Sequence, residues 1–154
     1  MAYYTYLDSP LGQITLLSCG QAITGLYLQN NYDFKDCIYE PSIFKHATMQ
    51  LKEYFDQKRK TFDLPLAPYG TIFQQRVWQA LLNIRHGKTV SYGEIAKAID
   101  SPQAARAVGM ANSKNPIAII IPCHRVIGAN GMLTGYSGGG LCNKQWLLTH
   151  ESKF

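Results

Sequence analysis

Residues Ile117–Arg125 have the sequence IAIIIPCHR, a short apolar run that ends in proline, cysteine, histidine and arginine. Five consecutive apolar residues are typical of a buried strand, so we predict a strand over Ile117–Ile121. Cys123 and His124 follow almost at once. The sequence therefore predicts a thiol and an imidazole side by side at the end of a buried strand, where they are placed for chemistry rather than for packing.

The pair formed by Cys123 and His124 is suited to nucleophilic chemistry. The thiolate is the reactive form of cysteine, and a neighbouring base or cation lowers the thiol pKa from its ordinary value of about 8.5. We therefore expect a lowered pKa for Cys123, with Glu151 available as the acid that orients His124. The residues alone leave three alternatives open: a buried structural cysteine, a thiol protease and another thiol transferase.

Helical patterns lie on both sides of this stretch. Thr71 is a candidate N-cap for a helix whose apolar residues recur at three- and four-residue steps, and Gly87 is its predicted end. A last helix is predicted to begin near Leu141. Residues 70–154 are therefore expected to form a mainly helical lobe.

Two short helices within this lobe resemble a helix-turn-helix. Ser91 precedes a helix over residues 92–99, and a turn at 100–102 leads into a helix over residues 103–113. The second helix consists mostly of small residues and carries one long cation, Arg106. Such a helix can lie against a DNA groove without reading bases, although two helices that merely pack together, with Arg106 in solvent, explain the pattern as well.

The first part of the chain has a different pattern. Short apolar and aromatic runs between turn residues predict three antiparallel strands, over residues 2–7, 14–17 and 23–28. Residues 30–40 are expected to form a loop or an irregular strand, residues 42–59 a helix, and residues 62–69 an extended linker. The predicted fold class is α+β, in which an N-terminal α/β lobe over 1–69 with an antiparallel sheet packs on the helical lobe.

Composition limits the class of protein. The chain has 154 residues, of which 46% are hydrophobic and 16% charged, so it can bury a core as one domain or two small lobes. No apolar run approaches the about 20 residues of a membrane span, and the first residues do not resemble a secretory signal, so an intracellular protein is expected. The irregular spacing of the four cysteines suggests neither a zinc site nor a redox pair. The net charge of +5 fits a polyanionic partner and surface solubility equally well.

A longer stretch around Cys123 resembles the active-site signature of the methylated-DNA–protein-cysteine methyltransferases, the O6-alkylguanine-DNA alkyltransferases: it reads IPCHRVIGANGMLTGYSGG over residues 121–139. Five further blocks resemble the same family in the same order: SPLGQITL (9–16), GTIFQQRVWQAL (70–81), TVSYGEIA (89–96), ARAVGMANSKNP (105–116) and KQWLLTHE (144–151). The blocks span almost the whole chain, so chance agreement is not a serious alternative.

This resemblance implies a fold and an activity. The N-terminal lobe would be ribonuclease H-like, and the second lobe, residues 70–154, would bind DNA and carry the reactive cysteine. The implied reaction is the irreversible transfer of an alkyl group, above all methyl, from O6 of guanine to Cys123 in a single turnover, with the damaged base flipped out of the duplex. O4-alkylthymine is a second implied substrate. No cofactor or metal is needed.

The resemblance also implies a partner and a location. The partner would be double-stranded DNA that contains O6-alkylguanine, with no membrane and no obligate protein partner. The protein would act as a monomer in the cytoplasm, or in the nucleus if the organism is eukaryotic.

Roles for individual residues follow from the same resemblance. Cys123 would be the nucleophile, His124 the base that takes its proton through a water, Glu151 the acid that orients His124, and Asn115 the hinge between the helix-turn-helix and the active site. The residues implied to hold the alkylated guanine are Tyr92, Val126, Tyr136, Ser137 and Lys144. Those implied to contact DNA are Arg106, which would fill the space that the flipped base leaves, together with Tyr92, Gln103, Ala104, Ala107 and Gly109.

One departure and three rival functions bear on this interpretation. The segment Tyr136–Leu141 is one glycine longer than the usual family pattern, which makes the contact expected of Ser137 less secure. A non-catalytic protein that binds damaged bases would lack the cysteine. A transcription regulator would need a sensor or dimerisation region, for which no residues remain. A cysteine hydrolase would turn over, whereas an alkylated Cys123 is a stable thioether.

Overall fold

The computed structural model describes residues 1–28, 33–134, 136 and 140–154. Its first part contains four strands: β1 (Ala2–Ser9), β2 (Gly12–Ser18), β3 (Ile23–Tyr27) and β4 (Cys37–Tyr39). They form one sheet in the order β3-β2-β1-β4, in which β1, β2 and β3 are antiparallel and β4 runs parallel to β1. The three predicted antiparallel strands are confirmed, and the stretch predicted as a loop or irregular strand supplies the short fourth one.

The helix of this part is shorter than predicted. A 3₁₀ turn over Pro41–Phe44 precedes α1 (Lys45–Phe55), so the continuous helix expected over residues 42–59 is wrong at both ends. The residues after Phe55 are polar and offer nothing to bury, and Gln57 adopts a left-handed conformation with φ of 63°, which ends the helix. The buried face of α1 consists of Ala47, Gln50, Leu51 and Tyr54.

The second part is mainly helical, as predicted. Its helices are α2 (Ile72–Leu81), α3 (Tyr92–Ala98), α4 (Ala105–Ser113) and α5 (Leu141–Glu151). Thr71 and Ser91 cap α2 and α3 through reciprocal capping boxes with Gln74 and Glu94. Two predicted ends are wrong: α2 stops at Leu81 instead of reaching Gly87, and α4 begins two residues after Gln103, because turns replace the outer helical residues.

Helices α3 and α4 form the helix-turn-helix, and α2 supports them. The indole of Trp78 in α2 donates a hydrogen bond of 2.9 Å to the Ala111 carbonyl of α4. A Cβ atom at Gly70 would lie 2.4 Å from the Trp78 ring, so only glycine fits at that position without displacing the ring. The position of the helix-turn-helix is therefore fixed by buried contacts with α2.

The predicted strand Ile117–Ile121 is buried but is not a strand. Hydrogen bonds from Ile121 N to Ile117 O (3.0 Å) and from Ile120 N to Ala118 O fold it into a tight turn. Ile119 has φ of 71°, an unusual conformation for a β-branched residue that costs on the order of 1–3 kcal/mol. An apolar run shows that a segment is buried but does not show its backbone path, which explains the error.

The two parts share one hydrophobic core and are also joined by backbone hydrogen bonds along β3. Leu26 N in β3 donates to Pro116 O (2.9 Å), and Ile23 N donates to Pro65 O (2.9 Å). Segments around Pro65 and Pro116 thus cover the outer edge of β3 and protect it from pairing with other chains.

In addition, β5 (Val90–Ser91) pairs in parallel with β6 (Val126–Ile127), which joins the start of α3 to the segment after Cys123.

Candidate active site

Cys123 lies in a 3₁₀ turn, Cys123–Arg125, between the buried turn and β6. All four cysteines belong to the described part of the chain, and Cys123 is the one that is buried, with 1% of its surface exposed. Its neighbour His124 is also buried, and the 3₁₀ turn packs against α5, which carries Glu151. The structure thus brings together the cysteine, histidine and glutamate singled out in the sequence.

Glu151 is the centre of a buried hydrogen-bond network. Its Oε2 lies 2.8 Å from His124 Nε2, and Arg125 donates from Nε to Oε1 (2.8 Å) and from Nη2 to Oε2 (2.9 Å). Tyr54 also donates to Oε2, at 2.8 Å. Burial alone would raise the pKa of Glu151, but the hydrogen bonds from His124 and Arg125 outweigh it and hold that pKa well below its usual range.

This network determines which nitrogen of His124 is free to act as a base. An ionised carboxylate can only accept hydrogen bonds, so Nε2, which faces Glu151, must carry the proton. Nδ1 then has the free lone pair, and it has no hydrogen-bond partner among the described residues. Burial lowers the pKa of His124 against the opposing effect of Glu151, so the ring is neutral near pH 7.

The pKa of the Cys123 thiol is shifted in the direction opposite to the one expected. Burial raises it to about 11, although the Asn115 side chain and the charge of Lys144 act to lower it. The sequence-based expectation of a lowered pKa is therefore wrong, because a neighbouring histidine is visible in the sequence and the extent of desolvation is not. At rest the site holds a neutral thiol, and the thiolate must form during the reaction.

We expect the stability of the protein to fall in acid because of Glu151. A carboxylate whose pKa is lower in the folded state stabilises the fold above its unfolded pKa, about 4.3, and this contribution is lost as the pH falls towards the folded value. Denaturant unfolding between pH 7 and pH 3 measures the effect. Glu53→Gln, which removes a surface-exposed pair with Arg59, should leave the acid dependence unchanged. Glu151→Gln should lose this part of the acid dependence. The same loss in Glu53→Gln would contradict the prediction.

Two asparagines hold the backbone around Cys123. Asn115 donates to Ile121 O (2.8 Å) and accepts from Ile117 N (3.0 Å), so its side chain closes the buried turn that leads to the cysteine. Asn112, at the end of α4, donates to Cys123 O at 3.4 Å. Asn115 is the residue to which the sequence assigned the hinge, and Asn112 was not anticipated.

A second network connects the implied guanine-binding residues. Lys144 is fully buried and donates to Val126 O (2.6 Å) and Thr134 O (3.3 Å). The Thr134 hydroxyl is hydrogen-bonded to the Tyr92 hydroxyl. Thr134, which the sequence did not single out, therefore joins Tyr92 to Lys144 and Val126.

The resemblance also implies that Tyr136 and Ser137 belong to this pocket. Tyr136 is buried, its ring centroid is 6.4 Å from that of His124, and its hydroxyl has no partner in the described part of the chain. Ser137 and the additional glycine of this segment lie outside the described residues.

The residues implied to contact DNA lie on or just before α4, except Tyr92, which begins α3. Arg106 is exposed, and so are Gln103 and Ala107, whereas Ala104 and Gly109 are half-buried. A Cβ atom at Gly109 would lie 3.8 Å from the Tyr92 ring, so that ring packs beside the middle of α4. Arg106 thus lies among small residues that are exposed or half-buried, as expected of the smooth helix that the sequence predicts.

The described residues contain neither a candidate membrane-spanning helix nor a candidate metal-binding cluster. No helix there has both the length and the apolar character that crossing a membrane requires. No group of three or more potential ligands among His, Cys, Asp and Glu is placed to bind a metal ion within that same part of the chain.

Comparison with known proteins places this geometry in a family. Residues 72–153 match the DNA binding domain, and residues 2–68 the ribonuclease-like domain, of 6-O-methylguanine DNA methyltransferases. The methylated-DNA–protein-cysteine methyltransferase of Mycobacterium tuberculosis is 51% identical over 98% of this chain and 93% of its own length. The constitutive enzyme of Bacillus subtilis is 46% identical over 98% of this chain and 96% of its own length.

Solved structures agree with the sequence matches. A crystal structure of the Mycobacterium tuberculosis O6-methylguanine methyltransferase has a TM-score of 0.93 and covers 99% of this chain and 93% of its own. A crystal structure of a Mycobacterium tuberculosis relative in complex with DNA has a TM-score of 0.92, with 97% of this chain and 92% of its own covered.

These matches cover nearly the whole chain at about half identity, and the chain belongs to the methylated-DNA–protein-cysteine methyltransferase family. It is a DNA-repair enzyme that binds DNA and transfers an alkyl group to one of its own cysteines. The family resemblance, the α+β fold class and the function expected from the sequence are confirmed. A non-catalytic protein that only binds damaged bases is not favoured.

Proposed function

We propose that Cys123 is the acceptor cysteine and that it takes one alkyl group from O6 of guanine in double-stranded DNA. The observation that carries this assignment is that Cys123 is the buried cysteine and lies next to the His124–Glu151 pair. Cys19 and Cys142 are exposed, and Cys37 is half-buried. O4-alkylthymine, which also carries an alkyl group on an exocyclic oxygen, is a second substrate.

The reaction proceeds by displacement at the alkyl carbon. Nδ1 of His124 receives the thiol proton through one water, and the sulfur attacks the alkyl carbon. An S–C bond forms as the C–O6 bond breaks, and the electron pair of that bond passes to O6 of the departing guanine, which then gains a proton. Glu151 stabilises the imidazolium that forms. The product thioether has no route back to the thiol, so each molecule acts once.

Residues around Cys123 hold the flipped guanine. The carbonyls of Cys123 and Val126 accept hydrogen bonds from the guanine amino group. Lys144 already donates to Val126 O, but a carbonyl oxygen has two lone pairs and can accept a second bond. Tyr136 packs against the base, and Ser137 donates to O6.

The Tyr92 hydroxyl donates a hydrogen bond to N3 of the flipped guanine. This hydroxyl is bonded to Thr134, so that contact must be exchanged when the base enters. The base must leave the stack because O6 in a duplex cannot reach a buried thiol, and unstacking costs a few kcal/mol.

The second part of the chain carries the DNA contacts. Residues 70–154 contain nine of the 15 Lys and Arg residues and three of the 10 Asp and Glu residues, so most of the net positive charge lies there. We assign DNA binding and alkyl transfer to this lobe, and residues 1–69 to a supporting lobe. The protein acts as a monomer in the cytoplasm, or in the nucleus of a eukaryote.

Mass spectrometry tests the assignment of Cys123. The protein is mixed with a duplex that contains one O6-methylguanine, and its intact mass and peptide map are measured. We expect a gain of one methyl group per molecule, located on Cys123, and no further gain with excess DNA. Methylation of Cys19, Cys37 or Cys142 instead, or conversion of several lesions per molecule, would overturn the proposal.

Arg106→Ala should slow transfer from duplex DNA much more than transfer from single-stranded DNA. Arg106 is assigned to fill the space that the flipped base leaves in the duplex. A single strand has few stacking contacts to lose, so it has little need of this replacement. We expect a rate loss of at least about tenfold with duplex DNA and little change with the single strand, measured in single-turnover assays. The matched control is Lys97→Ala, which removes an exposed cation from the neighbouring helix α3. It should affect both substrates alike. Equal losses on both substrates for Arg106→Ala would contradict its assignment.

A further inference from the structure

Tyr54 connects the first part of the chain directly to the active site. It lies on the buried face of α1, and its hydroxyl donates to Glu151 Oε2 across a separation of 97 residues. That oxygen is also the one that receives Nε2–H of His124. The helical pattern predicted that Tyr54 faces the core, but no role in the chemistry was assigned to it.

We propose that Tyr54 is a positioning residue for alkyl transfer: its hydroxyl fixes the Glu151 oxygen that holds His124 in the tautomer with a free Nδ1. The inference rests on the proposed function, in which Nδ1 of His124 takes the proton of Cys123. Tyr54 touches neither the substrate nor the thiol in this role, and acts through Glu151.

The surroundings of Tyr54 hold its ring rigidly in place. The ring packs edge-on against His150, with centroids 5.1 Å apart, and His150 Nε2 is hydrogen-bonded to the Tyr54 carbonyl at 2.8 Å. Burial, followed by the charge of Glu151, raises the pKa of Tyr54 well above its ordinary value. The hydroxyl therefore keeps its proton at every pH at which the protein works, and it remains a donor to the carboxylate.

Arg125 cannot replace this contact. It binds the same carboxylate, but it neighbours His124 in the chain, so a shift of their shared 3₁₀ turn would move both together. Tyr54 approaches Glu151 from α1, a separate element. Without the Tyr54 hydroxyl, the side-chain hydrogen bonds that this carboxylate receives from the described residues would all come from the 3₁₀ turn of His124 and Arg125, and no described group outside that turn would fix the oxygen that faces Nε2 of His124.

The hydroxyl also affects the basicity of His124. A hydrogen bond donated to a carboxylate takes up part of its charge, so its removal should strengthen the pull of Glu151 on a protonated imidazole. Among the described residues, the other titratable groups that interact with His124 or Glu151 are Arg125, Lys144, His86 and Tyr136, and His150 packs against the Tyr54 ring. All of them remain in Tyr54→Phe, so a changed pH profile would report the lost hydroxyl.

The test compares Tyr54→Phe with wild type and with Leu51→Val. Leu51 is buried on the same face of α1, so its variant loosens packing without removing a hydrogen bond. Single-turnover methyl transfer is measured from pH 5 to 9, together with the ¹⁵N NMR signals of His124. We expect Tyr54→Phe to transfer at least about tenfold more slowly, with the acid limb of its profile at higher pH and a smaller fraction of His124 protonated at Nε2. Leu51→Val should keep the wild-type profile and tautomer.

Two results would overturn the inference. One is a wild-type rate and tautomer in folded Tyr54→Phe. The other is a rate loss that only matches the fraction of unfolded molecules, with an unchanged pH profile and tautomer. Failure of the proposed function would show differently, as the absence of methyl transfer in the wild type, and the tautomer comparison would then still decide whether Tyr54 positions His124.

Discussion

Cys123→Ser should abolish methyl transfer and leave binding to the damaged duplex intact. A serine hydroxyl is far less acidic than a thiol, and His124, whose pKa is lowered by burial, is too weak a base to activate it. We expect no gain in protein mass after incubation with the methylated duplex, and an affinity equal to that of the wild type in a binding assay.

The matched control is Cys142→Ser. Cys142 is exposed in the first turn of α5, so its replacement should leave both transfer and binding unchanged. Cys123→Ser should also lower the free energy of unfolding by about 1–3 kcal/mol, since a buried hydroxyl needs partners that a thiol does not. Methylation of the Cys123→Ser protein would show that another residue accepts the group.

Glu151→Gln should produce the largest loss of stability among these variants. It removes the charge that compensates the Arg125 guanidinium, whose side chain is 8% exposed, and an uncompensated buried charge costs about 3–5 kcal/mol. The neutral amide also presents a donor to groups that are donors themselves. Unfolding in denaturant measures the loss, and single-turnover transfer, assayed where the variant is folded, should fall at least about tenfold.

Glu53→Gln is again the suitable comparison. Glu53 pairs with Arg59 at the surface, with side-chain exposures of 39% and 26%, and such pairs contribute less than about 1 kcal/mol. If both glutamine variants unfolded with similar free energies, the network around Glu151 would not have the stabilising role that its geometry indicates.

Local sequence signals predicted where α2 and α3 begin, because the causes are local. The caps at Thr71 and Ser91 need only residues three positions away, and both capping boxes form. The segment Ile117–Ile121 was predicted as a strand because its burial is evident from composition, whereas its turn is closed by three hydrogen bonds of the Asn115 side chain. A pattern of apolar residues contains no information about such bonds.

The site was partly predictable for a similar reason. Cys123 and His124 are adjacent in the chain, Glu151 was available as an acid, and the family resemblance gave it the same role. The contact of Tyr54 with Glu151 could not be predicted, since it joins segments 97 residues apart and helical periodicity gives only the side of α1 on which a residue lies. The predicted sign of the Cys123 pKa shift was wrong because that sign depends on how completely the folded chain excludes water from the thiol.

The wide spacing of the groups around Glu151 has a consequence for biosynthesis. Tyr54, the 3₁₀ turn with His124, and Glu151 itself come from three distant segments of the chain. Glu151 is added by the ribosome 27 residues after His124, and until then His124 lacks the carboxylate that fixes its tautomer. A growing polypeptide therefore carries an ordinary solvated thiol, without the base that takes its proton in the folded site. The arrangement that activates Cys123 for the flipped base is therefore complete only when all three segments have folded together.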